Sequence, residues 1–151
     1  MPTRNADKRS DGFSAAERAA MKERAAELRA EGKKGAKKAD GLQAVLDRIA
    51  DMAPEDRALA GRVHVAVTAN APALAPKTWY GMPAYANADG KIVIFFQDAA
   101  KFGSRYSTLG FNDPASLDDG DMWPTAYAVA GWSSAVEKRV VDLVKAATSG
   151  P

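Results

Sequence analysis

The fold is decided by residues 79–97, which read WYGMPAYANADGKIVIFFQ. Asp89-Gly90 separates the stretches 83–87 and 91–97, a pattern typical of a β-hairpin with a type I′ turn. The second stretch is apolar at odd and even positions alike, so both of its faces should be buried, at the centre of a sheet. Gly81, beside two bulky residues, indicates a positive φ or a close approach of the backbone.

The aromatic residues divide the chain into a helical front and a strand-forming centre. Eleven of the twelve lie between Trp79 and Trp132, and Phe13 alone precedes them. Two further strands are predicted after the hairpin, at 103–109 and 122–129. We therefore expect an α+β domain, with an antiparallel sheet of about four strands flanked by N-terminal helices and a C-terminal helix.

The front of the chain predicts an arm and a weakly docked helix. Residues 1–12 lack apolar content and should be disordered. Ser14 and Glu17 form a capping box, with Phe13 as one half of a hydrophobic staple. The helix should run to about residue 31 and has only two large apolar side chains to dock it. The lysine- and glycine-rich segment that follows predicts a solvated linker, so we assign 13–38 to this helix and linker.

Three more helices belong to the body of the protein, residues 39–149. Asp40 is the predicted cap of the first, whose apolar residues follow helical spacing. The next begins at Pro54 and runs to about Asn70, and a proline-containing extended link follows it. Ser133 is the predicted cap of the C-terminal helix.

Composition excludes several classes of protein. There is no cysteine, which rules out disulfides, thiolate metal sites and thiol nucleophiles. The single histidine, His64, excludes a site that needs two imidazoles from one chain. The longest apolar run is far shorter than the roughly 18 residues of a membrane span, and the N-terminus shows no signal peptide. We expect a cytoplasmic protein with no membrane partner.

The positive charge is concentrated at the front. Residues 1–38 hold eleven Lys or Arg against six Asp or Glu, a balance of +5, whereas residues 39–151 hold ten against thirteen, a balance of −3. The body is therefore poorly suited to phosphate backbones, and a nucleic-acid partner is not expected there. A solvated hinge is favoured for the basic segment 22–38, and an adaptor for nucleic acid or an acidic partner stays as an alternative.

Residues 80–85, which read YGMPAY, resemble the signature of the YdhG-like domain family, small bacterial proteins mostly of unknown function. The resemblance continues through the hairpin, Trp123-Pro124 and the C-terminal helix, over about residues 40–147. It implies an antiparallel sheet packed by N- and C-terminal helices. Some members are described as frataxin-like iron chaperones, so the resemblance implies an alternative function of holding iron on surface carboxylates. It carries over no metal ligand.

The aromatic centre provides the candidate binding site. Its rings either build the core or line a concavity for a small apolar or planar ligand, and both roles are compatible because pockets are lined by core-type residues. We predict a non-catalytic binding protein that holds a small ligand or partner on an aromatic-lined sheet surface. The predicted ligand-binding residues are Trp79, Tyr80, Met82, Tyr85, Phe96, Arg105, Tyr106 and Trp123.

No catalytic or cofactor motif is present in the sequence. His64 has no indicated carboxylate partner, and Ser104 and Ser107 lie in no nucleophile elbow. The glycines fit no phosphate-binding loop. We therefore expect no enzyme activity and no cofactor.

One loop contains enough aspartates to be considered as a candidate metal-binding site. Its spacing misses the EF-hand pattern, and aspartates beside a glycine are ordinary turn chemistry, so no metal site is assigned. The acidic residues are Asp113, Asp118, Asp119 and Asp121.

Overall fold

The computed structural model describes residues 14–31 and 38–149. Within them the chain forms five helices and one five-stranded antiparallel sheet, so the predicted α+β class is confirmed, with one strand more than expected. No helix in these ranges is long and apolar enough to cross a membrane. The elements in chain order are α1 (Ala15–Glu31), α2 (Lys38–Ala50), α3 (Pro54–Asn70), β1 (Ala75–Trp79), β2 (Met82–Ala86), β3 (Ile92–Gln97), α4 (Ala99–Phe102), β4 (Ser107–Phe111), β5 (Ala126–Val129) and α5 (Ser134–Thr148).

The sheet is a meander in which each strand pairs with the next along the chain. The segment that the sequence predicts as an extended link forms β1, an edge strand that pairs with β2 from Ala75 opposite Ala86 to Trp79 opposite Met82. Pro76 lies within β1, which fits the preference of proline for edge strands.

The positive φ predicted at Gly81 is confirmed, but the two hairpin turns differ from the sequence prediction. Tyr80 and Gly81 join β1 to β2 with φ values of 53° and 76°, the two positive angles that a type I′ turn requires. The type I′ turn predicted at Asp89-Gly90 is wrong, because only the glycine has positive φ there. The Asn87 side chain accepts hydrogen bonds from the amides of Asp89 and Lys91, both at 3.0 Å, and so holds a longer loop.

The last two strands begin later than predicted. Residues 103–106 belong to the connection after α4, which ends at Gly103 with a φ of 68°. β4 therefore occupies Ser107–Phe111 instead of 103–109, and β5 occupies Ala126–Val129 instead of 122–129.

Local capping signals are mostly confirmed. The Ser14 amide donates to Glu17 Oε1 at 2.8 Å and the Glu17 amide to Ser14 Oγ at 3.1 Å, which is the predicted capping box. Ser133 Oγ accepts from the Val136 amide at 3.2 Å and caps α5. The predicted cap at Asp40 is wrong, because Asp40 lies inside the first turn of α2. Phe13, the arm 1–12 and the linker residues 32–37 lie outside the described residues.

The main core lies between one face of the sheet and three helices, α2, α3 and α5. We call this the core face of the sheet and the other side the open face. Alternation along each strand decides which side chains reach the core. Its central residues are Val45, Ile49, Val63, Val67, Tyr85, Ile94, Phe96, Leu109, Phe111, Val140 and Val144.

Candidate binding surface

The two faces of the sheet separate the predicted site residues. Tyr85 and Phe96 are each 1% exposed and belong to the main core. Trp79 lies on the open face beside its partner Met82, and the neighbouring Phe95 also points there. Tyr85 and Phe96 therefore do not share a wall with Trp79 and Met82.

An aromatic cluster occupies the open face. The ring of Trp79 lies 5.1 Å from that of Tyr80, edge to face, and 5.4 Å from that of Phe95, between ring centroids. Such offset arrangements are the favoured geometry for aromatic pairs. Beneath the rings, Ala84 and Ala86 are buried. We call these five residues the aromatic surface.

Strand residues alone build the apolar cluster at this surface. Within the described residues it consists of Ala84, Ala86 and Ile92, with Trp79 and Phe95 packed against them. None of the described helices contributes to it. The core face is covered by three helices, whereas α1 approaches the open face at the β1–β2 turn, where the guanidinium carbon of Arg24 lies 5.8 Å from the Tyr80 ring centroid.

A glycine in β4 fixes the position of the Phe95 ring. Gly110 pairs with Phe95, and a Cβ atom at Gly110 would overlap that ring. The ring therefore lies directly against the backbone of β4. Beyond it, Ala126 and Ala128 of β5 are exposed and too small to cover the face.

A groove of about 560 Å³ adjoins the aromatic surface. It lies between the first half of α1 and the sheet, and it shares Tyr80 with the aromatic surface. Its volume falls in the range of about 300–1,000 Å³ that is usual for small-molecule sites. The groove is lined by Ser14, Ala16, Glu17, Ala20, Met21, Tyr80, Gln97 and Phe102.

The remaining predicted residues lie elsewhere. Arg105 and Tyr106 are exposed in the connection between α4 and β4, where the guanidinium carbon lies 5.1 Å from the tyrosine ring centroid. Trp123 is part-exposed in the loop before β5. None of these three lines the groove. Of the eight predicted residues, the structure thus brings together Trp79, Tyr80 and Met82, and Met82 is buried.

The β1–β2 turn is held from the α2 side by an arginine. Arg48 Nε donates to the carbonyl oxygen of Gly81 at 2.7 Å. Its Nη2 donates to both oxygens of Asp98, at 2.9 and 2.8 Å. Asp98 is 2% exposed, so this ion pair is largely removed from water. Sequence reasoning missed both residues, and the only local signal is a carboxylate directly after an apolar strand.

Two further buried polar residues hold the start of α4. The Ala100 amide donates to Asp56 Oδ2 at 2.9 Å, and the Ala99 amide donates to Ser107 Oγ at 3.1 Å. The Ser107 hydroxyl in turn donates to Asp56 Oδ1 at 3.4 Å. The serine and the carboxylate therefore satisfy the backbone of a short helix and are buried away from any ligand.

His64 pairs with the buried tyrosine of the core. Its Nδ1 lies 2.9 Å from the Tyr85 hydroxyl, and the rings are 5.8 Å apart. Burial lowers the pKa of His64 below its ordinary value and raises the pKa of Tyr85. Neither residue touches the open face, so the pair stabilises the junction of α3 and β2.

The acidic loop is a solvated segment. Asp113, Asp118, Asp119 and Asp121 are all exposed. Across the residues that the structure describes, no group of three or more His, Cys, Asp or Glu side chains is placed to hold a metal ion.

A second cleft, of about 550 Å³, lies at the opposite end of the sheet, between α3, α5 and the β2–β3 hairpin. Two of its polar side chains are used locally. Asn70 donates to the Ala66 carbonyl at 2.8 Å, and Asn87 accepts from its own turn. The cleft contains none of the predicted ligand-binding residues.

Comparison with known proteins adds no relative. No family model, no curated protein and no solved structure matches this chain. The resemblance of residues 80–85 to YdhG-like domains therefore stays a prediction from the motif, and function has to be argued from the geometry.

Proposed function

We propose that this protein is a non-catalytic binding module that holds a small planar ligand, or an apolar side chain of a partner, on the aromatic surface. The observation that carries the proposal is the gathering of Trp79, Tyr80 and Phe95 on the open face, where the apolar cluster contains strand residues only among those described. Tyr80 is exposed there and Trp79 and Phe95 are half-buried, and a contiguous apolar patch on a surface often marks an interaction site.

The groove beside the surface supports a ligand of modest size. Tyr80 and Phe102 give it aromatic walls, and Gln97 places an amide at the same site. A few polar groups on an apolar wall are the usual means of orienting a small ligand. A planar ligand lying on Tyr80 would extend towards Trp79, whose ring meets Tyr80 edge to face.

The Asp, Ser and His side chains that could in principle catalyse a reaction are engaged in contacts within the fold, which supports a non-catalytic role. Asp98 is paired with Arg48, and Ser107 with Asp56 holds the start of α4. His64 is paired with the hydroxyl of Tyr85. Each of these groups serves the fold, and none lines the groove. A cytoplasmic location belongs to the same proposal.

A fragment screen read by amide chemical shifts tests the proposal. Planar aromatic fragments should shift the amides of Trp79, Phe95 and Gly110. Trp79→Ala should weaken binding roughly two- to tenfold, since one aromatic pair contributes about 0.5–1.5 kcal/mol. Trp132→Ala, which removes the same ring from the edge of the core, is the matched control and should leave affinity unchanged. Fragments that shift only residues of the opposite cleft, or equal binding by both variants, would refute the assignment.

A further inference from the structure

The C-terminal half of α1 is anchored to the β1–β2 turn by one carboxylate, that of Glu27. The Tyr80 amide donates to Glu27 Oε1 at 2.9 Å and the Gly81 amide to Glu27 Oε2 at 3.0 Å. The turn can present two consecutive amides because both residues have positive φ. Successive backbone amides of this kind form an anion-binding concavity, and bonds to an ionised acceptor are the stronger ones. The turn is therefore built to receive a carboxylate.

Two lysines extend this receptor along the direction of the helix. Glu23 pairs with Lys101, and Glu31 Oε2 lies 3.1 Å from Lys77 Nζ. Together with Glu27, these glutamates recur every four residues, about 6 Å apart along a helix, and so share one side of it. We call the row formed by Lys77, the two turn amides and Lys101 the basic track. The track matches carboxylates at positions i, i+4 and i+8 of a helix.

Charge holds α1 on the track, with little help from burial. Ala20 is the one buried residue of this seventeen-residue helix. Its two large apolar side chains, Met21 and Leu28, are 39% and 53% exposed. The ion pairs of Glu23 and Glu31 are partly exposed, and such pairs contribute about 0–1 kcal/mol each, so the docking of α1 depends mainly on Glu27, which is 10% exposed.

We propose that the basic track is a binding site for a helix of a partner protein that carries acidic residues at i, i+4 and i+8, with α1 as its intramolecular competitor. Charge complementarity carries the assignment, since each of the three donor points of the track already holds a carboxylate at this spacing. The basic track shares Tyr80 with the aromatic surface, and α1 lines the adjoining groove, so a partner helix that displaces α1 would also open that groove.

A labelled peptide of residues 14–31 serves as the probe, titrated into the full chain and followed by fluorescence anisotropy. It should bind the Glu27→Ala chain at least about tenfold more tightly than the wild type, because the tethered α1 competes at high effective concentration. A peptide with Glu23, Glu27 and Glu31 replaced by glutamine should not bind. Lys22→Ala is the matched variant on the same helix and should behave as the wild type. Added salt should weaken binding.

Equal binding of the glutamate and glutamine peptides, or no saturable binding to either chain, would overturn the proposal. Self-association of the wild-type chain that Glu27→Ala abolishes would assign the track to α1 of a second copy and would also overturn it. Amide hydrogen exchange of the unmodified chain is a second measurement. Exchange at Tyr80 and Gly81 should accelerate in high salt, while Ile94 in the core does not change; unchanged exchange would show that charge does not hold α1.

Discussion

Arg48 and Asp98 lie fifty positions apart in the chain and form an ion pair in which one guanidinium nitrogen donates to both carboxylate oxygens. Arg48 belongs to the last turn of α2, and Asp98 directly follows β3. The same guanidinium donates to the Gly81 carbonyl. One side chain thus ties a helix, a central strand and the β1–β2 turn together, at the base of both proposed sites.

Removing the arginine should destabilise the protein strongly. Arg48→Met leaves the carboxylate of Asp98 buried without its partner, which typically costs about 3–5 kcal/mol. The free energy of unfolding from urea titration measures the loss. Arg62→Met is the matched control, because Arg62 is exposed on α3, and it should change stability by less than about 0.5 kcal/mol. A loss of similar size in both variants would contradict the role of the ion pair.

Two glycine-to-alanine substitutions should change the stability of the protein in opposite directions. Gly81→Ala places a Cβ at a φ of 76°, 2.5 Å from Glu23 Oε1, and the left-handed conformation alone costs about 1–2 kcal/mol. Gly61→Ala lies within α3 with nothing near its Cβ, so it should stabilise by about 0.5–1 kcal/mol. Thermal unfolding of the two variants checks the pair. A Gly81→Ala chain as stable as the wild type would exclude a strained type I′ turn.

The elements that sequence analysis located correctly are specified by local chemistry. The capping box at Ser14, the cap at Ser133 and the central strand all follow from residues within a few positions of one another. Sequence analysis did not predict β1 or the Arg48–Asp98 pair, because their stability comes from partners distant in the chain. Tertiary context decides such segments, and no local pattern encodes it.

Only part of the candidate site could be predicted from the sequence, because the site depends on which strand residues share a face and on contacts distant in the chain. Strand alternation puts Met82 and Tyr85, three positions apart, on opposite faces, so parity alone separates them. The same argument selects Phe95 over Phe96 for the open face once Trp79 is placed opposite Met82. The contact of α1 with the β1–β2 turn could not be predicted from the sequence, because the partners of its glutamates, the turn amides and two lysines, come together only in the folded chain.

Gly110→Ala should displace the Phe95 ring of the aromatic surface and destabilise the protein. The added methyl group overlaps the Phe95 ring, and overpacking of this kind typically costs about 1–3 kcal/mol. The cost should shrink in a Phe95→Leu background, where the flat ring is absent, and a double-mutant cycle in urea measures that coupling. Gly131→Ala, with nothing near its Cβ, is the control and should be close to neutral. Additive effects at 95 and 110 would show that the ring does not rest on the glycine.

Stability should fall as the medium becomes mildly acidic, because of His64. Burial beside Tyr85 lowers the pKa of His64 below 6.5 in the folded chain. The unfolded chain therefore takes up a proton first, and the free energy of unfolding decreases as pH falls through 6.5, until the folded pKa is also passed. Urea titrations between about pH 8 and 5 measure this slope. His64 is the only histidine, so His64→Gln should remove the slope near 6.5. A His64→Gln chain that keeps the full decrease would assign the pH dependence to the carboxylates instead.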